Sequence, residues 1–217
     1  MSDSLARRLA GYAVDLEYSD LDDSTIDLVE NRVIDALACA FAASTEPPVA
    51  ETVSWAARKD GTPPAPIISG GMSSTDAAAL ANGTLIRYLD WNDTYLSREP
   101  GHPSDNFGAL LSTAGAHERS GKEFLLAAVM AYELQCRLCD AASLRTHGFD
   151  HVNYGLVSAT AGVGKLLGVS QETLTQAINI ALNGHIALRQ ARAGELSPWK
   201  GMAFGNAARN AIVAVEL

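Results

Sequence analysis

Thr75-Asp-Ala-Ala-Ala-Leu-Ala-Asn-Gly-Thr-Leu-Ile-Arg-Tyr88, running straight into Leu89-Asp90-Trp91-Asn92-Asp93-Thr94, is the stretch that decides the fold. Its first part is rich in alanine and free of proline, the composition of a helix. The second part changes character. Two carboxylates and a hydroxyl, followed by His102-Pro103-Ser104-Asp105-Asn106, crowd a short segment just past the helix. A helix that delivers ionisable and turn-forming residues to a loop is one way an active site is positioned. The same Asp, Asn and Ser residues also serve as plain helix caps.

Composition bounds what such a loop belongs to. With 217 residues, 47% of them hydrophobic, the chain can bury a substantial core as one domain. The formal net charge of −9, without a basic cluster or stripe, argues against nucleic acid and anionic membrane surfaces as partners. The N-terminal MSDSLARRLAGYAVDL lacks the apolar core of a signal peptide, and no apolar run reaches membrane-spanning length, so a cytoplasmic protein is expected. Cys39, Cys136 and Cys139 cannot all pair within one chain, which fits a reducing compartment. Cys136-x-x-Cys139 superficially suggests a metal or redox pair. It lies within a helical face with Leu125, Ala128, Val129 and Tyr132, and no second pair completes a tetrahedral site, so both thiols read as small core hydrophobes.

Helical periodicity dominates the remainder. Ile26, Val29, Val33, Ile34, Leu37 and Phe41 form an apolar stripe after the cap-rich Asp22-Asp23-Ser24-Thr25. The spacing predicts helices near 24–43, 76–88, 104–119, 122–143, 155–168, 171–184 and 203–216, with a shorter one near Val49–Arg58. Ile67-Ile68-Ser69 is the single strand expected, inside a segment broken by Pro and Gly. The expected fold class is all-α, one catalytic domain over 1–217, without repeats or an interdomain linker.

Two further polar islands interrupt the apolar pattern. One is Arg145-Thr-His-Gly-Phe-Asp-His151, between two helices; the other runs from Arg189 through Arg192 to Lys200 and Gly201, supplying cations just before a small-residue helix. A lone His at a helix boundary is more often a cap or surface residue, and a lone Lys is usually solvated. Three islands at helix ends are harder to dismiss, because helix termini around a bundle can converge on one cleft.

These residues carry a resemblance. Leu-Asp-Trp-Asn-Asp-Thr leading to Gly-His-Pro-Ser-Asp-Asn (89–94 and 101–106) resembles the 2-methylcitrate dehydratase signature of the MmgE/PrpD superfamily. Gly-Phe-Asp-His-Val at 148–152, Trp-Lys-Gly at 199–201 and Gly-Asn-Ala-Ala-Arg-Asn-Ala at 205–211 are similar to further landmarks of that family, in the same order. The resemblance implies an all-α catalytic domain, usually dimeric, that works without metal or organic cofactor. Carried over position by position, it implies catalytic roles for Asp90, Thr94, His102, His151 and Lys200. Asp93, Ser104 and Arg192 are expected to contact substrate, with Arg189 as a further cation. Removal of a carbon-bound proton beside a carboxylate, stabilisation of the resulting negative charge and protonation of a departing hydroxyl require such a set. His102 is expected as the principal acid/base and Lys200 as the electrostatic anchor, with Asp90 holding one of the two in its charged form. Which group takes the proton and which gives it is left open at this point.

Members of the superfamily are roughly twice this length, with an α/β lid and a segment returning to the helical domain. The resemblance therefore implies that this chain is a fragment, half of a split gene or a decayed gene, missing a later His and Tyr. A hydro-lyase acting on 2-methylcitrate or a relative is the expected function. The alternatives are a cis-aconitate decarboxylase or iminodisuccinate epimerase-like reaction on the same fold, and a helical interaction module derived by truncation.

Overall fold

The computed structural model describes residues 4–217. Among them are nine α-helices: α1 (Leu5–Asp15), α2 (Asp23–Ala43), α3 (Pro47–Ala56), α4 (Thr75–Arg87), α5 (Phe107–Ala116), α6 (Gly121–Ala141), α7 (Val152–Leu167), α8 (Gln171–Gly184) and α9 (Trp199–Glu216). A two-stranded hairpin, β1 (Ala65–Pro66) and β2 (Met72–Ser73), lies between α3 and α4. The all-α expectation therefore holds. Helix starts follow side-chain chemistry: Asp22 caps α2 and Ser170 caps α8, while Ser120 and Glu123 form a reciprocal capping box on α6. No helix among the described residues is long and apolar enough to cross a membrane.

The centre of the bundle is α4. From Ala77 to Ala79 and from Ala81 to Arg87 its residues are buried, so it is enclosed on almost every side. Such enclosure requires small residues where neighbours cross. A methyl group on Gly83 would lie 2.7 Å from Cα of Gly205 in α9, and one on Gly108 would lie 2.6 Å from Cα of Gly83. Farther along the same crossing, a methyl on Gly201 would lie 3.1 Å from Cα of Tyr88. Rising position in α4 thus meets falling position in α9, so the two helices run antiparallel. The start of α9 is brought beside the end of α4.

Two apolar cores flank this axis. One gathers Leu156, Leu174, Ile178, Phe204 and Ile212 between α7, α8 and α9. The other gathers Val49, Leu85, Phe107, Leu110 and Phe124 between α3, α4, α5 and α6. Cys139 is buried and Cys136 half-buried, and burial pushes both thiols up to about 12, in keeping with their reading as hydrophobes.

The N-terminal segment, to which the sequence reading assigned no element, forms α1, whose Ala10 and Ala13 are fully buried. Three local expectations are corrected. The expected strand at Ile67-Ile68-Ser69 is the hairpin's turn. Pairing runs Ala65 to Ser73 and Pro66 to Met72, and Gly70 and Gly71, at φ of 110° and 93°, reverse the chain before Ile68 can pair. The amide of Ile68 instead donates to Oδ1 of Asn82 on α4 at 2.8 Å. The helix expected over 104–119 is a 3-10 turn at Pro103–Asn106 followed by α5, because Pro103 opens a tight turn over a buried polar cluster. Finally, the face α2 buries is mainly its small one, Ala36, Cys39, Ala40 and Ala43 with Val29, while Ile34 and Phe41 of the predicted stripe stay 65% and 59% exposed.

Candidate active site

The antiparallel register of α4 and α9 brings together residues 110 positions apart. Lys200, in the first turn of α9, donates from Nζ to Oδ2 of Asp90 at 3.0 Å. Asp90 lies just beyond α4 in the left-handed region, at φ 61°, a conformation that Asp tolerates better than most residues. Its amide closes a turn onto the carbonyl of Arg87 at 3.1 Å, which turns its carboxylate toward both cations. The other carboxylate oxygen accepts from Nη1 of Arg87. Partial burial pushes the Asp90 carboxyl up, but Arg87 and Lys200 outweigh it and hold the group well below the usual carboxylate range.

Arg87 is the hub. Only 3% exposed, it also directs Nε toward Oδ2 of the fully buried Asp105 at 3.4 Å and Nη2 toward Nε2 of His102 at 2.9 Å. A guanidinium nitrogen only donates, so Nε2 of His102 carries the lone pair. Nδ1 of His102 lies 2.7 Å from the carbonyl oxygen of Asp93, which only accepts, so the proton is on Nδ1. Burial and the charge of Arg87 lower this imidazole to about 4, against the raising effect of the Asp93 carbonyl. His102 is therefore neutral, and the carboxylate of Asp90, 3.8 Å from its Nε2, does not keep it charged. Of the two partners foreseen for Asp90, the ion pair forms with Lys200. Thr94 is exposed, with Oγ1 3.4 Å from Nδ1 of His102.

The third island joins through His151, whose ring centroid is 5.6 Å from that of His102. His151 sits at the start of α7, 6% exposed, with Nδ1 2.9 Å from Oδ1 of Asp150. Arg192 donates from Nε to the other oxygen of Asp150 at 2.6 Å. The 3-10 turn carrying Arg192 is tied to α7 through Asn153, which donates to the carbonyl of Ala187 at 2.8 Å and accepts from its amide at 2.9 Å. The structure thus brings Asp90, Thr94, His102, His151 and Lys200 into one neighbourhood.

The residues expected to contact substrate are engaged by the protein itself. Asp93 accepts from the Tyr132 hydroxyl at 2.8 Å and from the amide of Ser104 at 3.0 Å. The hydroxyl of Ser104 is fully buried and accepts from Nδ2 of Asn92 at 2.8 Å. Arg192 is held by Asp150, and Arg189 contributes its backbone amide to the carbonyl of Gly148 at 2.9 Å. Beneath the loop, Nδ2 of Asn106 donates to Gln135 at 2.7 Å and its Oδ1 accepts from Ser158 at 2.8 Å. Much of the Asn-Asp-Thr and Pro-Ser-Asp-Asn wording is thus loop construction, a buried network satisfied largely by itself.

Three participants were missed from the sequence: Arg87, Asp105 and Asp150. A basic residue in the last turn of an alanine-rich helix gives no signal by itself, and only the enclosure of α4 makes Arg87 seek partners. Asp105 lies inside the recognised motif, and burial pushes it up to about 7 despite Arg87 and Asn92. Among the described residues, no group of three or more His, Cys, Asp or Glu side chains is placed to hold a metal ion.

Comparison with known proteins points the same way. The model of the MmgE/PrpD N-terminal domain matches residues 7–217. The chain is 32% identical over 205 residues to 2-methylcitrate dehydratase of Cupriavidus necator, covering 87% of this chain and 42% of that protein. It is 37% identical over 148 residues to a probable 2-methylcitrate dehydratase of Saccharomyces cerevisiae, covering 62% of this chain and 29% of that one. Against 2-methylcitrate dehydratase of Escherichia coli the identity is 36% over 146 residues, 62% of this chain and 30% of that protein. The chain spans less than half the length of these relatives.

Proposed function

The chain belongs to the MmgE/PrpD family, and from that premise we propose that it supplies the acid/base side chains of a hydro-lyase that dehydrates 2-methylcitrate or a related 2-hydroxy tricarboxylate. The observation that carries this reading is the convergence of two cations and two neutral imidazoles on one cluster. Lys200 and Arg87 meet at Asp90, while His102 and His151 lie with ring centroids 5.6 Å apart.

The chemistry follows from what an elimination requires. A base takes the proton from the carbon next to a substrate carboxylate. The electron pair of that bond delocalises onto the carboxylate as an enediolate-like charge, then forms the double bond as the hydroxyl leaves. The hydroxyl takes a proton from an acid and departs as water. Lys200, partly open at the head of α9, is placed to stabilise the developing charge, and the fixed Lys200–Asp90–Arg87 arrangement needs little reorganisation as that charge grows. Neutral imidazoles can accept a proton near neutral pH, and Thr94 offers a hydroxyl beside His102. The chemistry draws on these side chains without a metal or organic cofactor, and the working protein is a homodimer.

The test is to assay the purified protein, alone and supplemented with the segments its relatives carry beyond this region, for formation of the unsaturated tricarboxylate by ultraviolet absorbance. Turnover of 2-methylcitrate that survives exhaustive chelation supports the reading. Decarboxylation or epimerisation without dehydration replaces the reaction while keeping the family, and turnover abolished by chelator defeats the cofactor-independent chemistry.

A further inference from the structure

Asp150 is buried at 0% exposure and spends both carboxylate oxygens on cationic or polarised donors. Oδ1 faces Nδ1 of His151 at 2.9 Å and also the amide of Val152 at 3.2 Å, and Oδ2 accepts from Nε of Arg192 at 2.6 Å. An ionised carboxylate only accepts, so the shared proton with His151 is on Nδ1. The opposite nitrogen, Nε2 of His151, is buried and meets no hydrogen-bond partner, and neither do Nη2 of Arg192 and Nε2 of His185. A buried polar atom left unpaired is destabilising, so one beside an acid/base cluster is a candidate for contact with a ligand.

We propose that Asp150 is a positioning residue that fixes His151 in the Nδ1–H form, leaving the Nε2 lone pair free to take a proton from substrate. The proposal rests on the acid/base reading above. It divides labour between the two imidazoles. His102 has both nitrogens occupied by protein, Nε2 by Arg87 and Nδ1 by the Asp93 carbonyl, whereas His151 has one nitrogen anchored and one free. Arg192 occupies Oδ2 and favours the ionised carboxylate, while the amide of Val152 holds Oδ1 beside Nδ1 of His151 independently of it. Beside Asp150, the two charged groups that act most on His151 both disfavour its protonation. Arg192 and Arg87 carry positive charge, and the amino-terminal end of α7 has the positive end of the helix dipole. Asp150 opposes them, and burial tips the balance to a lowered pKa. The result is an imidazole kept neutral and oriented, the state of a base awaiting its proton.

Histidine tautomers are read directly from long-range proton–nitrogen NMR spectra of the 217-residue chain with 15N-labelled histidine. In the unsubstituted chain His151 is expected neutral with Nδ1 protonated and Nε2 bare; a proton on Nε2 overturns the proposal. In Asp150→Asn the amide oxygen is drawn to Arg192, the strongest obligatory donor at that site, which turns the amide NH2 toward Nδ1 of His151. The proton is then expected to move to Nε2, and an unchanged spectrum overturns Asp150 as the group that sets the tautomer. Arg192→Gln retains the carboxylate, so the Nδ1–H pattern is expected to persist; its loss overturns the proposal even if Asp150→Asn does not fold. None of these readouts depends on turnover. A wrong tautomer therefore defeats the role of Asp150 alone, while the expected tautomer with no tricarboxylate turnover counts against the hydro-lyase reading alone.

Discussion

Gly83 of α4 and Gly205 of α9 approach so closely that a methyl on Gly83 would sit 2.7 Å from the Gly205 Cα, and one on Gly205 would sit 2.6 Å from the carbonyl oxygen of Leu80. This contact sets the register that places Lys200 opposite Asp90. In Gly205→Ala the obstruction is backbone, which cannot rotate away, so the helices must separate. A loss of about 1–3 kcal/mol by denaturant unfolding is expected, as for other overpacked positions. Gly121→Ala is the control: nothing lies within 4 Å of that site at the start of α6, and stability should hold or rise slightly. Equal effects of the two substitutions would mean that the crossing is not tightly packed.

Lys200 and Asp90 are predicted to matter for chemistry far more than for stability. Their side chains are 35% and 42% exposed, a setting in which ion pairs contribute about 0–1 kcal/mol. A lysine in the first turn of a helix also opposes the helix dipole. Lys200→Ala should therefore unfold at nearly the same denaturant concentration as the parent. In an active preparation carrying the segments found in the relatives, the same substitution should lower turnover by about two or more orders of magnitude, the usual effect of losing one charge-stabilising group. Unchanged turnover would remove Lys200 from the mechanism.

How much of this was legible in the sequence depended on whether a residue's role was local. The alanine-rich run through Ala77, Ala78 and Ala79, ending in Asp90, states its own helix and loop, and the Ser120–Glu123 capping box marks the start of α6 without reference to the rest of the chain. Arg87 was not legible as a site residue. A basic residue in the last turn of a helix is ordinary, and only the enclosure of α4 forces it to find Asp90, Asp105 and His102. Asp150 was passed over for a similar reason, since its partner Arg192 lies 42 positions away. Ile34 and Phe41 misled in the opposite direction. Their helical spacing resembles a core face, yet close packing of α2 is made by alanines, which pattern reading undervalues beside larger hydrophobes.

The buried neutral state of His102 makes stability depend on pH. Its folded value of about 4 lies below the ordinary 6.5, so between those limits the unfolded chain takes up a proton that the folded chain refuses. The stabilisation is thus fully present above pH 6.5 and is lost as pH falls toward 4. Asp105, raised to about 7, works in the opposite sense, so the whole-chain profile does not isolate His102. Comparison with His102→Asn does, because the amide retains a donor for the Asp93 carbonyl but does not titrate. The stability difference between parent and variant should shift against the parent by about 2–3 kcal/mol between pH 7 and pH 4, from the size of the pKa change. A difference that stays constant with pH would mean that His102 is not held neutral.

The exposed side of α2 carries the last prediction. Ile34 and Phe41, 65% and 59% exposed, are seven positions apart and so share a face, with half-buried Leu37 between them. Leu37 and Phe41 open onto a cavity of about 500 Å³ that Pro66, Ile68, Leu111 and Phe124 help to line. Complete burial of one such side chain is worth about 1.5–3 kcal/mol, so two from each copy could supply several kcal/mol to an association. Light scattering of the purified chain should therefore show a mass that rises above the monomer with concentration. Ile34→Glu with Phe41→Glu should return it to monomer without loss of helical circular dichroism, because neither side chain belongs to the buried core. If the double variant associates as strongly as the parent, the α2 face is not the contact. The apolar side chains around Trp199, Leu188 and Ile186, 44%, 56% and 54% exposed, would then be the surface to substitute next.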